Sequence, residues 1–200
     1  MVAVGQMAHD MDARDQDMQI LSAFPQALRH DVVRVVSVLP TAFHSCSATF
    51  RTTIGDEALI IPYRVYYDRK AISFGSLTSL QQVVLGCVLT RHPDGFVRGG
   101  GNLGRIISRK ESWIPPFVIQ LVGEYVVEIL EAIHNNLSSL DSTVHAAFLN
   151  DNISFWETTK QRVVSYWDCY YRRTWKHRED YVGFRIIEHL DSVPLRTSRV

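Results

Sequence analysis

Glu131 and His134 stand three residues apart, the spacing that one helix of a di-iron carboxylate site uses. Such a site needs a second Glu-x-x-His and two more glutamates. The chain has no second copy, so a solvated polar face that also carries Glu124 and Glu128 is the preferred account. Arg91, His92, Asp94 and Arg98 crowd one turn. Two guanidiniums and an imidazole can hold an anion or a partner. The same residues also suit a fold role: cations complement a helix C-terminus, and an aspartate caps the next helix. Gly99-Gly-Gly101-Asn-Leu-Gly104 matches the dinucleotide fingerprint. That fingerprint belongs between a strand and a helix, with an acid roughly 20 residues on; here it sits inside a helical pattern. His44 and Cys46 share one side of an extended segment, but nothing marks the third group a cysteine nucleophile needs. Asp10, Asp12, Asp15 and Asp17 have a calcium-loop rhythm without its glycine and closing glutamate. The chain contains no G-x-S-x-G, P-loop or H-E-x-x-H.

Trp167, Tyr170, Tyr171, Arg172, Arg173, Trp175, Lys176 and Arg178 put rings and cations together. A core-facing aromatic stripe with a basic rim is the bland reading. Tyrosine, tryptophan and arginine also mark protein interfaces. Rings that stack bases beside cations that meet phosphates suit single-stranded nucleic acid. Candidate binding residues are therefore Arg91, His92, Asp94, Arg98, Trp167, Tyr170, Arg172 and Arg173. No catalytic residue, metal ligand or cofactor is implied. A non-enzymatic module that binds another protein is the preferred function. The alternatives are nucleic-acid binding through residues 160–178, and an enzyme whose site gathers His92, Asp94, Glu124 and Tyr125.

Several elements must position these groups. Residues 1–19 hold four aspartates and little periodicity, and read as a mobile tail. Ile20 to Leu39 carries Phe24, Leu28, Val32 and Val35/Val36 on one helical face, although its valines suit a strand as well; Pro40 ends it. Ala48 to Asp68 switches to period two and predicts a hairpin around Gly55-Asp-Glu57. Pro62 belongs at the edge or end of its pairing. Ser76 to Leu137 organises the rest. A first helix carries Leu80, Val83, Val84, Cys87 and Val88, Pro93-Asp94-Gly95 turns, and a second helix carries Phe96, Val97, Leu103, Ile106 and Ile107. Gly99–Gly101 weaken that second helix by about 1 kcal/mol each. Pro115 and Pro116 open a long helix whose stripe runs Phe117, Val118, Leu121, Val122, Tyr125, Val126, Ile129, Leu130, Ile133, Leu137. Gln120, Glu124, Glu128, Glu131 and His134 face away. Burying that stripe contributes on the order of 10–20 kcal/mol before entropy is counted. Shorter helices are expected over Thr143–Leu149, Ser154–Trp175 and Gly183–Leu190.

Charge and cysteine usage bound the remaining classes. Lysine plus arginine and aspartate plus glutamate each number 21, so net charge favours neither nucleic acid nor a membrane surface. Three scattered cysteines fit reduced thiols in a cytosol. The start lacks the basic and apolar regions of a signal peptide, and no window suits a membrane span.

Two resemblances follow from quoted residues. Asp94-Gly-Phe-Val97-Arg98 resembles the turn of a HEAT-type helical repeat, and the likeness covers Leu80 to Ser108. It implies a valine packed inward and an aspartate and arginine bonding along the stack. Asp31-Val-Val-Arg34 is one residue short of a second copy, and solenoids need about three units. IPYRVYYD, LTRHPDGFVR, WIPPFVIQLVGEYVVEIL and RVVSYWDCYYR look like a bacterial family of conserved hypothetical proteins over Ile54 to Phe184. That likeness implies no catalytic residues, and the triple glycine departs from its pattern. The expected architecture is mainly α: one helical domain over 20–192 with a HEAT-like helix pair and a small N-terminal β-hairpin, between tails at 1–19 and 193–200, in the cytoplasm.

Overall fold

A computed structural model describes residues 15–44, 48–68, 70, 72–99 and 101–193. Among them helices dominate, beside a single two-stranded sheet, so the expected mainly α class with its hairpin holds. No helix among the described residues is long and apolar enough to cross a membrane. The chain divides into two compact units. Of the described residues, those up to Thr52 and within Asp56–Arg105 form the first, and Thr53–Gly55 with those from Ile106 onward form the second.

In the first unit the amphipathic segment after residue 20 is helical. Helix α1 covers 15–22, a 3-10 turn follows at Gln26–Leu28, and α2 spans Arg29–Val36 with Val32 and Val35 buried. Residues 15–19 are therefore not part of a tail: Gln16 and Ile20 are buried, and the Gln16 side-chain oxygen accepts from the Tyr66 N–H at 3.2 Å. Asp10 and Asp12 lie outside the described residues.

Strands β1 (Thr49–Ile54) and β2 (Glu57–Pro62) make the sheet. Gly55 opens their two-residue turn at φ 58°, and Asp56 has a negative φ. That is the type II′ pattern, which needs glycine first and matches strand twist. Pro62 is the last residue of β2 and donates nothing to the ladder, and Tyr63 after it still donates to the Ala48 carbonyl at 2.9 Å. Beyond it Val65 donates to the carbonyl of Arg91 at 2.9 Å, which ties the extended segment to the end of α3 (Ser79–Leu89). Thr78 caps α3 in a capping box with Gln81, and the Gln81 amide reaches Asp31 of α2 at 2.9 Å. Helices α4 (Gly95–Gly99) and α5 (Gly101–Ile106) follow; residue 100 between them lies outside the described residues. Val97, Leu103, Ile106 and Ile107 are buried as the periodicity predicts, but Phe96 is 84% exposed.

The second unit corrects the long helix. Residues 115–137 form two helices, α6 (Pro115–Val122) and α7 (Val127–His134). The helix stops at Gly123, and Val126 is extended at φ −84°, ψ 105°. All eight α6 residues are buried, the signature of a helix enclosed on every side. Gln120 and Glu124 are thus inside, and Tyr125, placed in the apolar stripe by its spacing, is outside. Most of the stripe is walled in: Phe117, Val118, Leu121, Val122, Ile129, Leu130 and Ile133 are each at most 1% exposed, while Val126 and Leu137 are half-buried.

Helix α8 (Ser142–Asp151) is capped by Asp141, whose carboxylate accepts from the Val144 N–H. Asn152 separates it from α9 (Ile153–Tyr166) and clasps Thr53 through both amide atoms, at 2.7 and 2.9 Å. The expected helix to Trp175 is shorter: after Tyr166 it widens into a π turn, Trp167–Tyr171. Helix α10 (Val182–Asp191) closes the unit against α7 and α8.

Candidate binding surface

The Arg91–Arg98 turn is built inward. Arg91, His92 and Arg98 are 1%, 6% and 2% exposed. His92 Nε2 lies 2.9 Å from the Tyr67 carbonyl, and Nδ1 lies 3.1 Å from the Asp94 N–H. A carbonyl only accepts and a peptide N–H only donates. Nε2 is thus placed to donate and Nδ1 to accept, and both nitrogens are engaged. Asp94 caps α4 by accepting from the Phe96 N–H at 2.8 Å. Arg98 donates to the carbonyls of His92 and Pro93 at 2.8 and 2.7 Å, satisfying acceptors that a tight corner leaves without helical partners. Chemistry that requires a free imidazole has none here.

The Tyr67 hydroxyl continues this network to Asp17 at 3.3 Å. Burial raises the pKa of both groups above their ordinary values. His44 pairs by an isolated bridge with Tyr66, its ring 5.0 Å from the tyrosine ring; Cys46 lies outside the described residues. Gly99 and Gly101–Gly104 belong to α4 and α5, with no strand before them, which is the wrong setting for a dinucleotide loop. Glu131 is exposed. No group of three or more metal-ligating side chains occurs among the described residues. His92 and Asp94 belong to the first unit, and Glu124 and Tyr125 to the second.

The aromatic–basic segment divides between core and water: Trp167 is buried, and Tyr170, Arg172, Arg173, Lys176 and Arg178 are exposed. In the π turn the Arg172 N–H reaches the Trp167 carbonyl at 2.8 Å, five residues back. Such turns are rare and frequent at functional sites. Two clusters of rings result. Tyr171, Trp175 and Tyr181 pack inward, with Tyr171 stacked on Tyr181 at 5.3 Å. Tyr181 is fully buried, and its hydroxyl has no hydrogen-bond partner among the described residues; burial raises its pKa. Tyr125, Tyr166 and Tyr170 pack outward, with ring centroids 6.1, 6.4 and 6.2 Å apart. Tyr125 is 53% and Tyr170 66% exposed. The Tyr171 hydroxyl joins the clusters by donating to the Tyr125 carbonyl at 2.5 Å.

Trp167 is buried beneath cations. Arg172 lies 5.5 Å and Arg178 5.4 Å from its ring centroid, and its indole N–H donates to the Trp175 carbonyl at 2.9 Å. Arg172 also pairs with Asp168 at 2.8 Å. A groove of about 480 Å³ runs here, lined by Gln161, Val164, Ser165, Trp167, Asp168, Arg172 and Arg178. Of the sequence candidates, Trp167 and Arg172 meet at this groove, and Tyr170 lies in the tyrosine cluster. The spacing of Tyr166 and Tyr170, one turn apart, signals two members of that cluster. Tyr125 carries no signal, because its spacing fits the buried stripe equally well.

The chain matches no family model, no curated protein and no solved structure.

Proposed function

We propose that this protein is a non-enzymatic helical module that binds another protein through the surface around Tyr125, Tyr166 and Tyr170. The observation that carries this reading is the outward tyrosine cluster, exposed yet held in place by the Tyr171–Tyr125 bond. Tyrosine offers large contact area at low entropic cost, and a ring fixed beforehand loses less freedom on binding. The corner at Asp94 and Arg98 supports reading α3–α5 as its HEAT-like element. Cys87 and Cys169, free thiols, suit a cytoplasmic setting.

Photo-crosslinking tests the reading. A photoreactive residue at position 170, with the chain at its native expression level, is expected to capture a discrete partner that the same residue at exposed position 154 does not. Tyr125→Ala is expected to lower the yield at 170 at least fivefold. A chain that runs alone and gives no adduct at 170 rules the reading out.

Nucleic-acid binding is the second reading, favoured by six Lys/Arg against three Asp/Glu over residues 160–180. It requires affinity for oligothymidylate that falls steeply with salt and drops in Arg172→Ala/Arg173→Ala. Lys160 and Arg172 are already paired with carboxylates, which reduces the cation surplus that this reading needs.

A further inference from the structure

The groove beside Trp167 carries an unbalanced charge. Its lining holds two guanidiniums, Arg172 and Arg178, and one carboxylate, Asp168. Asp168 is spent on Arg172 through one N–H at 2.8 Å. Arg178 has no carboxylate or carbonyl acceptor among the described residues; two rings hold it, Trp167 at 5.4 Å and Phe184 at 5.5 Å. Glu179 and Asp180 follow it in the chain, and neither pairs with it among the described residues. Guanidinium stacked on rings is oriented with its N–H edge directed elsewhere, and it binds a carboxylate as a planar fork. A volume of about 480 Å³ falls within the range of sites that take a small ligand or a side chain.

We propose that this groove receives an acidic peptide segment of a protein partner, with a carboxylate seated between Arg172 and Arg178 over the Trp167 ring. The inference rests on the protein-binding reading and names the chemistry of the partner. Charge complementarity selects the occupant. The groove has one cation in excess, an aromatic floor, and Gln161 and Ser165 to bond a peptide backbone. Residues 161, 165, 168 and 172 follow one side of α9 and its π turn, while 166 and 170 lie about 150° around it, so the groove and the tyrosines are separate surfaces.

The test is a titration of the ¹⁵N-labelled full chain with acetyl-tetraglutamate amide, its tetraglutamine counterpart, and an oligothymidylate of eight residues. The Trp167 indole N–H and the Arg178 Nε–H are the reporters. Tetraglutamate is expected to shift both saturably, at least tenfold more tightly than tetraglutamine. Arg178→Gln is expected to weaken that binding at least fivefold, and Arg34→Gln to leave it unchanged. Asp168→Asn is expected to tighten it at least twofold, a gain that misfolding cannot imitate. Equal response to the two peptides, or indifference to both groove variants, overturns the proposal. So does tighter binding of the oligothymidylate than of tetraglutamate. If position 170 captures a protein while tetraglutamate shows no preference, the groove assignment fails and the protein-binding reading stands.

Discussion

Single residues show where this fold has no slack. A β-carbon on Gly183 would sit 2.7 Å from Val163 Cγ1 and 2.8 Å from Tyr181 Cε1. Both neighbours are buried to within 1%, so neither can yield cheaply. Gly183→Ala is expected to cost about 1–3 kcal/mol, more than the roughly 1 kcal/mol that alanine gains in a helix; urea unfolding measures it. His145 gives a pH dependence. It is 1% exposed, its Nδ1–H donates to the Asp141 carbonyl at 2.9 Å, and Nε2 has no partner among the described residues. Burial, the largest influence, holds its pKa below the ordinary histidine value. As pH falls below about 6.5 the unfolded chain takes a proton that the folded chain refuses, so stability drops, by at most about 1.4 kcal/mol per pH unit. Above that pH the effect vanishes. His145→Gln is expected to flatten the difference in urea midpoint between pH 5.5 and 7.5. The sequence reveals Asp94 as a cap because Pro-Asp-Gly is turn chemistry with one local solution. It does not reveal that His92 and Arg98 are consumed by that turn, because their acceptors are backbone carbonyls that no residue type identifies.

At the scale of elements, local end signals decide what is legible. Thr78 and Gln81 cap α3, and Gln81 also reaches α2. Thr78→Ala is expected to cost about 1 kcal/mol. Gln81→Ala is expected to cost more, because it also removes the bond to Asp31; thermal melting of the two variants ranks them. The hairpin is readable from period-two alternation and a Gly-Asp turn. The gap between α6 and α7 is not. Val118, Val122, Val126 and Ile129 keep helical spacing across it, so the pattern is the same with or without a break. What breaks the helix is Gly123, a weak helix residue, followed by a β-branched pair, Val126-Val127, whose first member is extended. The π turn after Tyr166 is equally silent in sequence, since widening a helix by one residue leaves its composition unchanged.

For the whole molecule, the equal numbers of acidic and basic side chains bear on association. With no net charge the field cancels beyond a Debye length of roughly 8 Å at physiological salt. Long-range steering is therefore weak, and attraction begins on contact. For the protein captured at position 170, raising salt from 50 to 300 mM is expected to change the association rate less than threefold and to act mainly on dissociation; surface plasmon resonance separates the two. The mainly α class is legible at this scale because apolar period dominates from Ile20 to Leu190. The division into two compact units is not, since no linker composition marks it.

The Tyr125 carbonyl is free to accept from Tyr171 only because the helix is interrupted there; in an unbroken helix it would belong to the amide of residue 129, which instead bonds Val126. The interruption and the outward tyrosines thus form one cooperative piece of structure. Amide exchange at 127–130 and at 170–172 should then slow or quicken in step, and Tyr171→Phe should loosen both stretches while leaving α3 protected.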